Sequence, residues 1–162
     1  SKSIYEWVRQ VRGGVLAGAF TVERHISVAI VHFMLGERTA ISTVQEAFEE
    51  GLLGPLSFER RINVMMLIAP NFLDADEVAS LKVDLSELRT LRNVMAHKPF
   101  WFQPELNEDN EIVNLVPVIQ RGKTSLCLTT DFVEHVNKLI ASLIEKVVVL
   151  AKKCASSSER RA

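Results

Sequence analysis

The chain has 162 residues, of which 48% are hydrophobic and 24% charged, as is typical of one soluble globular domain. The formal net charge of −1 argues against broad, nonspecific binding to nucleic acid, because such binding needs many unneutralised Lys and Arg side chains. A local basic pocket remains compatible with this charge. The two cysteines, Cys127 and Cys154, have no metal-ligand spacing and predict no disulfide framework, which favours a reducing cytosol.

No signal peptide is predicted, because the N-terminal stretch has no uninterrupted apolar run behind a basic segment. The apolar stretch "VNKLIASLIEKVVVLAKK" is interrupted by Lys138, Glu145 and Lys146, and is too short and too charged to cross a bilayer. We therefore expect a cytoplasmic protein with no membrane partner.

Apolar residues recur at helical spacing from Ser3 to about Leu35 and predict one long first helix. The pair Gly13–Gly14 weakens this helix, and would either kink it or let another backbone approach closely.

Two shorter helices follow. Ser42 with Gln45 forms a capping-box pattern, and this helix ends at the glycines of "GLLG". The next helix begins after Ser57 as its cap and ends at Pro70.

The fourth helix is predicted from Glu77 to about Ala96, after a loop with an Asp cap. Residues 99–111 hold two prolines and the run "NEDNE" and predict a surface loop. The segments "EIVNLVPVIQ" and "SLCLTT", separated by "RGK", predict a hairpin. Pro117 should place the first of these strands at a sheet edge or distort it.

Asp131 with Glu134 forms a second capping-box pattern before a long final helix. The apolar side of this helix consists of Phe132, Val136, Leu139, Ile140, Leu143, Val147 and Leu150. The sequence therefore predicts a mainly α fold: an antiparallel bundle of four to five helices with a small β-hairpin inserted before the last helix. It forms one domain over residues 1–154, with the hairpin at about 111–130, and residues 155–162 form a polar, disordered tail.

Arg92 lies on the apolar stripe of the fourth helix. At about 100° per residue, it falls within about 80° of the other stripe positions, which are Leu81, Leu85, Leu88 and Met95. A buried arginine is costly unless it is paired, or unless its stripe faces a wet cleft or a partner.

His97 points roughly 140° away from Arg92 in a regular helix. A site that uses both needs one of two arrangements. Pro99 drives the preceding residue out of α geometry, so the helix ends near Ala96–Lys98 and His97 can swing. Alternatively, two copies of the helix meet across a dimer two-fold axis.

The stretch "LRNVMAH" resembles the Arg-Asn…His signature of the HEPN superfamily (higher eukaryotes and prokaryotes nucleotide-binding). There, an R-x(4–6)-H motif lies on the penultimate core helix. The segments "VERHISVAIVHFML" and "GLLGPLSFERRINVMMLIA" look like the first helices of HEPN-related bacterial families, including those near the mannitol-repressor type. Some of these relatives also carry a small β insertion before the last helix, so the resemblance covers residues 15–150.

The resemblance implies an α-helical homodimer in which two Arg/His pairs line a cleft. In active members this cleft is a metal-independent endoribonuclease, often a toxin or a defence effector restrained by an antitoxin or a regulatory protein. His97 would take the proton from a ribose 2′-OH or protonate the leaving oxygen. Arg92 would stabilise the pentacoordinate phosphate, and Asn93 would orient either group. No cofactor and no metal site are expected.

One position departs from the family pattern. In the toxin branch controlled by nucleotidyltransferase antitoxins, a tyrosine two residues after the motif histidine is modified by the antitoxin. Pro99 stands there in this chain, and the only tyrosine is Tyr5. We therefore do not expect that regulation or membership of that branch.

Each candidate residue also has a structural interpretation. Arg92 could bridge helices through Glu23, and His97 could act as a helix C-terminal cap favoured by the helix dipole. Arg61, Lys98 and Glu23 are weaker candidates for substrate binding, since surface charge is the usual role of such residues.

We expect the aromatic run at 100–102 to anchor the loop onto the bundle or to make a dimer contact, rather than to stack on bases. The alternative function is a non-catalytic, HEPN-derived regulatory or ligand-binding homodimer associated with transcription regulation, since a fold does not fix a function.

Overall fold

The computed structural model describes residues 3–159, without the side chains of Glu37, Ser158 and Glu159. The five α-helices are α1 (Ile4–Leu35), α2 (Ser42–Phe48), α3 (Phe58–Ile68), α4 (Ala75–His97) and α5 (Thr130–Glu159). The three strands β1 (Phe100–Leu106), β2 (Ile112–Arg121) and β3 (Thr124–Cys127) lie between α4 and α5. Short 3₁₀ turns at Gly36–Ala40 and Ala69–Asn71, and a π turn at Glu49–Leu53, complete the chain. The mainly α prediction is confirmed.

The bundle is built around α1, which contacts α3, α4 and α5. Trp7 near the start of α1 donates its indole N–H to the carbonyl of Leu128 at 2.9 Å, just before α5 begins. Arg12 donates to the carbonyl of Lys98, just after α4 ends. Consequently α5 runs parallel to α1 and α4 runs antiparallel to it.

The core lies where the apolar stripes of these helices meet. The apolar side predicted for α5 is confirmed, although Ile140 is only partly buried. The largest fully buried side chains are Ile26, Ile30, Met65, Leu81, Leu85, Leu88, Leu91, Met95, Ile119, Leu128, Leu143 and Leu150. No polar or charged residue of the described range is fully buried, so the core is held by apolar packing.

Two of the predicted helix caps are confirmed. The hydroxyl of Ser57 accepts the backbone N–H of Arg60 at 3.3 Å, and α3 ends just before Pro70, as expected. Asp74 accepts the N–H of Glu77 at 2.8 Å, and the Glu77 carboxylate accepts the N–H of Asp74 at 2.9 Å, which makes a full capping box for α4.

The other two predicted caps are wrong. The cap position of α2 is Ile41, and no side chain caps that helix. The first turn of α5 is capped by Thr129, whose hydroxyl accepts the N–H of Phe132 at 3.2 Å, so Asp131 lies inside the helix. The carbonyl of Pro117 accepts the N–H of Leu128 at 2.8 Å. This bond positions the residue directly before Thr129.

The C-terminal end of α5 reaches Glu159. It therefore extends into the segment 155–162, for which the sequence predicts a polar tail; residues 160–162 lie outside the described range.

The sheet has three antiparallel strands in the order β1-β2-β3. Strand β1 occupies most of the segment that we expected to be a loop, because Phe100 and Phe102 have the bundle to pack against. Pro117 lies in the central strand, opposite Phe102, so its predicted placement at an edge is wrong. Its carbonyl faces the β3 side and accepts from Leu128. Its nitrogen faces that side too, beyond the end of β3. The N–H that proline lacks would therefore have had no partner in β3, and no hydrogen bond between the strands is lost.

Helix α1 is continuous through Gly13 and Gly14. A Cβ built on either glycine meets no atom within 4 Å. Close approach of another backbone from the described range therefore does not explain the pair.

By length and composition α1 could also cross a membrane, which the sequence analysis did not foresee: its most apolar window has a mean hydropathy of 1.4. In the bundle 39% of that window is buried, against α3, α4 and α5. A core helix meets the same criteria, and this packing is compatible with a soluble protein.

Candidate functional site

The final turn of α4 ends where the sequence predicts. Lys98 has φ −93° and ψ 138°, which is extended backbone, because Pro99 disfavours α geometry in the residue before it. His97 is thus the last helical residue, and its side chain is exposed.

Arg92 is only partly buried, although it lies on the apolar stripe. The first turn of α3 reaches α4 at Arg89, which pairs with Glu59, and α3 then runs toward the start of α4. It therefore leaves the turn that carries Arg92 uncovered. Arg92 does not pair with Glu23, and no carboxylate whose side chain the structure describes forms an ion pair with it.

Asn93 is hydrogen-bonded to Arg92 and lies four residues before His97 on α4. Arg92 Nη1 donates to Asn93 Oδ1 at 3.2 Å, which draws the guanidinium away from the stripe. Asn93 and His97 are four residues apart on one exposed face of α4, so their Cβ atoms are about 6 Å apart. In a regular helix Arg92 and His97 point roughly 140° apart, and Asn93 lies between these two directions. The three residues therefore share one side of the end of α4, and we call them the Arg92–Asn93–His97 surface.

Arg61 and Glu23, two of the weaker candidates, are engaged with each other. Arg61 Nε lies 3.5 Å from Glu23 Oε1, with side-chain exposures of 17% and 19%. Arg61 also donates to the hydroxyl of Ser27 at 2.8 Å and to the carbonyl of Leu56 at 3.2 Å. These bonds join the start of α3 to α1, so the guanidinium is occupied by protein acceptors.

Arg12 is a residue near the site that the sequence analysis missed. It donates to the carbonyl of Lys98, and its guanidinium carbon lies 5.4 Å from the centroid of the Phe100 ring. It thereby holds the segment that follows His97, while the Lys98 side chain is exposed. Arg12 lies four residues after Val8 and three before Val15, both buried, so the periodicity used for Arg92 would have singled it out.

The aromatic residues after the site anchor the sheet to α1. The Tyr5 ring lies edge-on to Phe100 and Phe102, with centroid distances of 6.0 and 5.4 Å. Trp101 points to the opposite face of the sheet and is 41% exposed. Phe100 and Phe102 therefore tuck β1 onto the bundle.

The side chains that could bind a metal ion are not clustered in the described part of the chain. Within residues 3–159, no three His, Cys, Asp or Glu side chains are grouped so as to hold a metal ion. Cys127 is exposed and Cys154 is buried, and neither forms a disulfide. Burial raises the pKa of the Cys154 thiol to about 11.

The chain matches no protein-family model, no curated protein and no solved structure. The function of the Arg92–Asn93–His97 surface therefore has to be inferred from its side chains.

Proposed function

We propose that this protein is a metal-independent endoribonuclease that works as a homodimer, with Arg92, Asn93 and His97 as its catalytic residues. The supporting observation is the contrast among the partly buried arginines of the helices, where Arg12 is bonded to the carbonyl of Lys98. Arg61 and Arg89 pair with glutamates, as structural arginines do, whereas Arg92 bonds only to its exposed neighbour Asn93 among the described residues. A guanidinium held at the surface without a carboxylate is suited to an anionic ligand such as phosphate.

The chemistry is cleavage of RNA by its own ribose. The 2′ oxygen attacks the adjacent phosphorus, the bond from phosphorus to the 5′ oxygen breaks, and the products carry a 2′,3′-cyclic phosphate and a 5′ hydroxyl. Neutral His97 accepts the 2′ proton, or protonated His97 gives a proton to the departing 5′ oxygen. Arg92 donates to the non-bridging oxygens as charge develops on them. Asn93 orients the guanidinium.

The dimer supplies what one chain lacks. One imidazole acts either as base or as acid in a turnover, and a second copy of α4 across a two-fold axis would bring a second His97 to the same phosphate. Lys98, exposed at the end of α4, would contact the RNA backbone. A ribonuclease of this kind in a bacterial cytoplasm needs restraint by an antitoxin or another regulatory protein.

The second candidate is a non-catalytic, ligand-binding regulatory homodimer. One observation favours it: a cavity between α1 and α5 has uncharged lining residues, none of which lies on α4. In that case the exposed Arg92 surface would serve as a contact for another macromolecule.

The decisive experiment compares the purified wild type with Arg92→Ala, Asn93→Ala and His97→Ala on a mixed RNA substrate containing a metal chelator. Lys82→Ala, an exposed residue of the same helix, is the matched control. We expect wild type and control to produce 2′,3′-cyclic phosphate ends, and Arg92→Ala and His97→Ala to be at least about 100-fold slower. Circular dichroism would confirm that the variants fold. RNA that stays intact with the wild type, or equal cleavage by all five proteins, would overturn the proposal.

A further inference from the structure

A cavity of about 200 Å³ lies between the first half of α1 and the first half of α5. Four valines and the rings of Trp7 and Phe132 make most of its wall, and Gln10, Gly14 and Asn137 complete the lining. The Trp7 ring is fixed because its N–H is bonded to the carbonyl of Leu128 at 2.9 Å. The wall that Trp7 forms is therefore already in place before any ligand binds.

Packing within the described chain does not require a glycine at position 14. Glycine inside a helix is less favourable than alanine, yet a Cβ on Gly14 would meet no atom within 4 Å. Gly13 has the same open surroundings, but only Gly14 borders the cavity. The missing side chain at Gly14 keeps this side of the cavity open.

The lining specifies the kind of ligand. No charged side chain lines the cavity, which disfavours an ionic ligand because its charge would lack a partner. The amides of Gln10 and Asn137 make no hydrogen bond within the described chain. Each offers N–H donors and a carbonyl acceptor side by side, the combination that pairs with the edge of adenine, and aromatic rings stack on bases. The cavity is open to solvent on one side, because Gln10, Gly14 and Asn137 are exposed. Its volume of about 200 Å³ exceeds the roughly 150 Å³ of an enclosed cavity that holds benzene, so a two-ring base has room to enter from that side.

We propose that this cavity binds a neutral purine base, which stacks against Trp7 and presents its polar edge to Gln10 and Asn137. The site is independent of the Arg92 surface, because every lining residue lies on α1 or α5.

Adenine is the probe, and Trp7 is the reporter. The chain has two tryptophans, so Trp101→Phe leaves Trp7 as the only indole. We expect adenine to change the Trp7 emission in a saturable manner and to raise the melting temperature. Indole, a two-ring molecule without the acceptor edge, should bind more weakly and raise the melting temperature less; the melting temperature is the readout for this ligand, because free indole fluoresces itself. No saturable change with adenine, or tighter binding of indole, would overturn the proposal.

The two glycines give a matched pair of variants. Both Gly13→Leu and Gly14→Leu replace a helix-weakening residue by a good helix former, so each should raise the melting temperature by about 2–4 °C. Gly14→Leu should lower adenine affinity at least about tenfold by filling the cavity, whereas Gly13→Leu should bind like wild type. Equal losses, or no loss, would contradict the assignment.

Asn137→Ala should weaken adenine about tenfold, the value of one hydrogen bond, and leave indole unchanged. Equal effects on both ligands would contradict recognition by the amide. Arg92→Ala should bind adenine normally whether or not the protein cleaves RNA, so failure of one proposal is distinguishable from failure of the other.

Discussion

Replacing Arg61 by alanine removes the link between α1 and α3. The two hydrogen bonds to Ser27 and Leu56 contribute about 1–1.5 kcal/mol each. Their loss also leaves the Glu23 carboxylate, 19% exposed, without its cation. Because Arg61 and Glu23 retain some contact with water, the total should lie near the lower end of the range for breaking a buried pair. We expect the free energy of unfolding to fall by about 3 kcal/mol.

Urea denaturation followed by circular dichroism measures this change, and the melting temperature should fall by about 6–12 °C. Arg60→Ala is the matched control, since Arg60 is exposed and its side chain forms no hydrogen bond within the described residues. Its effect should stay below about 0.5 kcal/mol. Glu23→Gln, alone and combined with Arg61→Ala, isolates the ion pair, and we expect a coupling energy of about 1 kcal/mol.

Equal stabilities of Arg61→Ala and Arg60→Ala would refute this reasoning. Arg61 would then be free to bind a ligand, and the prediction that it contributes to substrate binding would gain support. A coupling energy near zero would show instead that the stabilisation comes from the hydrogen bonds of Arg61 to Ser27 and Leu56 and not from the ion pair.

Two further predictions concern a helix cap and the buried thiol. Asp74→Ala should lower the free energy of unfolding by about 1 kcal/mol because it removes the cap of α4. The control Asp76→Ala, at an exposed position two residues further on, should lower it by only a few tenths of that amount. Thermal denaturation measures both changes, and equal effects would contradict the capping role. The pKa of Cys154 is raised from 9.0 to about 11 by burial, so the folded state holds the thiol proton more tightly than the unfolded state. Its stabilising contribution is complete below pH 9 and declines as the pH rises toward 11. Cys154→Ala should therefore make the free energy of unfolding less dependent on pH between these values. Ellman's reagent should modify Cys127 at once but Cys154 only on unfolding, and a rapidly reacting Cys154 would disprove its protection.

Helix positions could be predicted because the apolar stripes that encode them are also the surfaces that meet in the core. The caps were less predictable, since Thr129 and Asp131 are both good capping residues and only the bond between Leu128 and Pro117 decides between them. Strand β1 was missed for a similar reason. Its pairing with β2 and its packing on Tyr5 are contacts distant in sequence, which local composition does not report.

Part of the candidate site could be predicted as well. Helical periodicity singled out Arg92, and Pro99 gave the end of the helix after His97. Periodicity describes where a Cβ points, however, and not where a long side chain ends, so it could not foresee the bond from Arg92 to Asn93. Nor could it tell that Glu23 pairs with Arg61 of α3 rather than with Arg92 of α4, because the choice depends on how the helices pack.

The pairing of the first helix with the last has a consequence for synthesis on the ribosome. The apolar stripe of α1 packs extensively against α5, and more than ninety residues separate the two helices along the chain. A nascent chain therefore exposes that stripe until its final helix emerges. Since contacts so far apart in sequence form late, we expect chaperones to bind α1 during translation, and release to follow the appearance of α5.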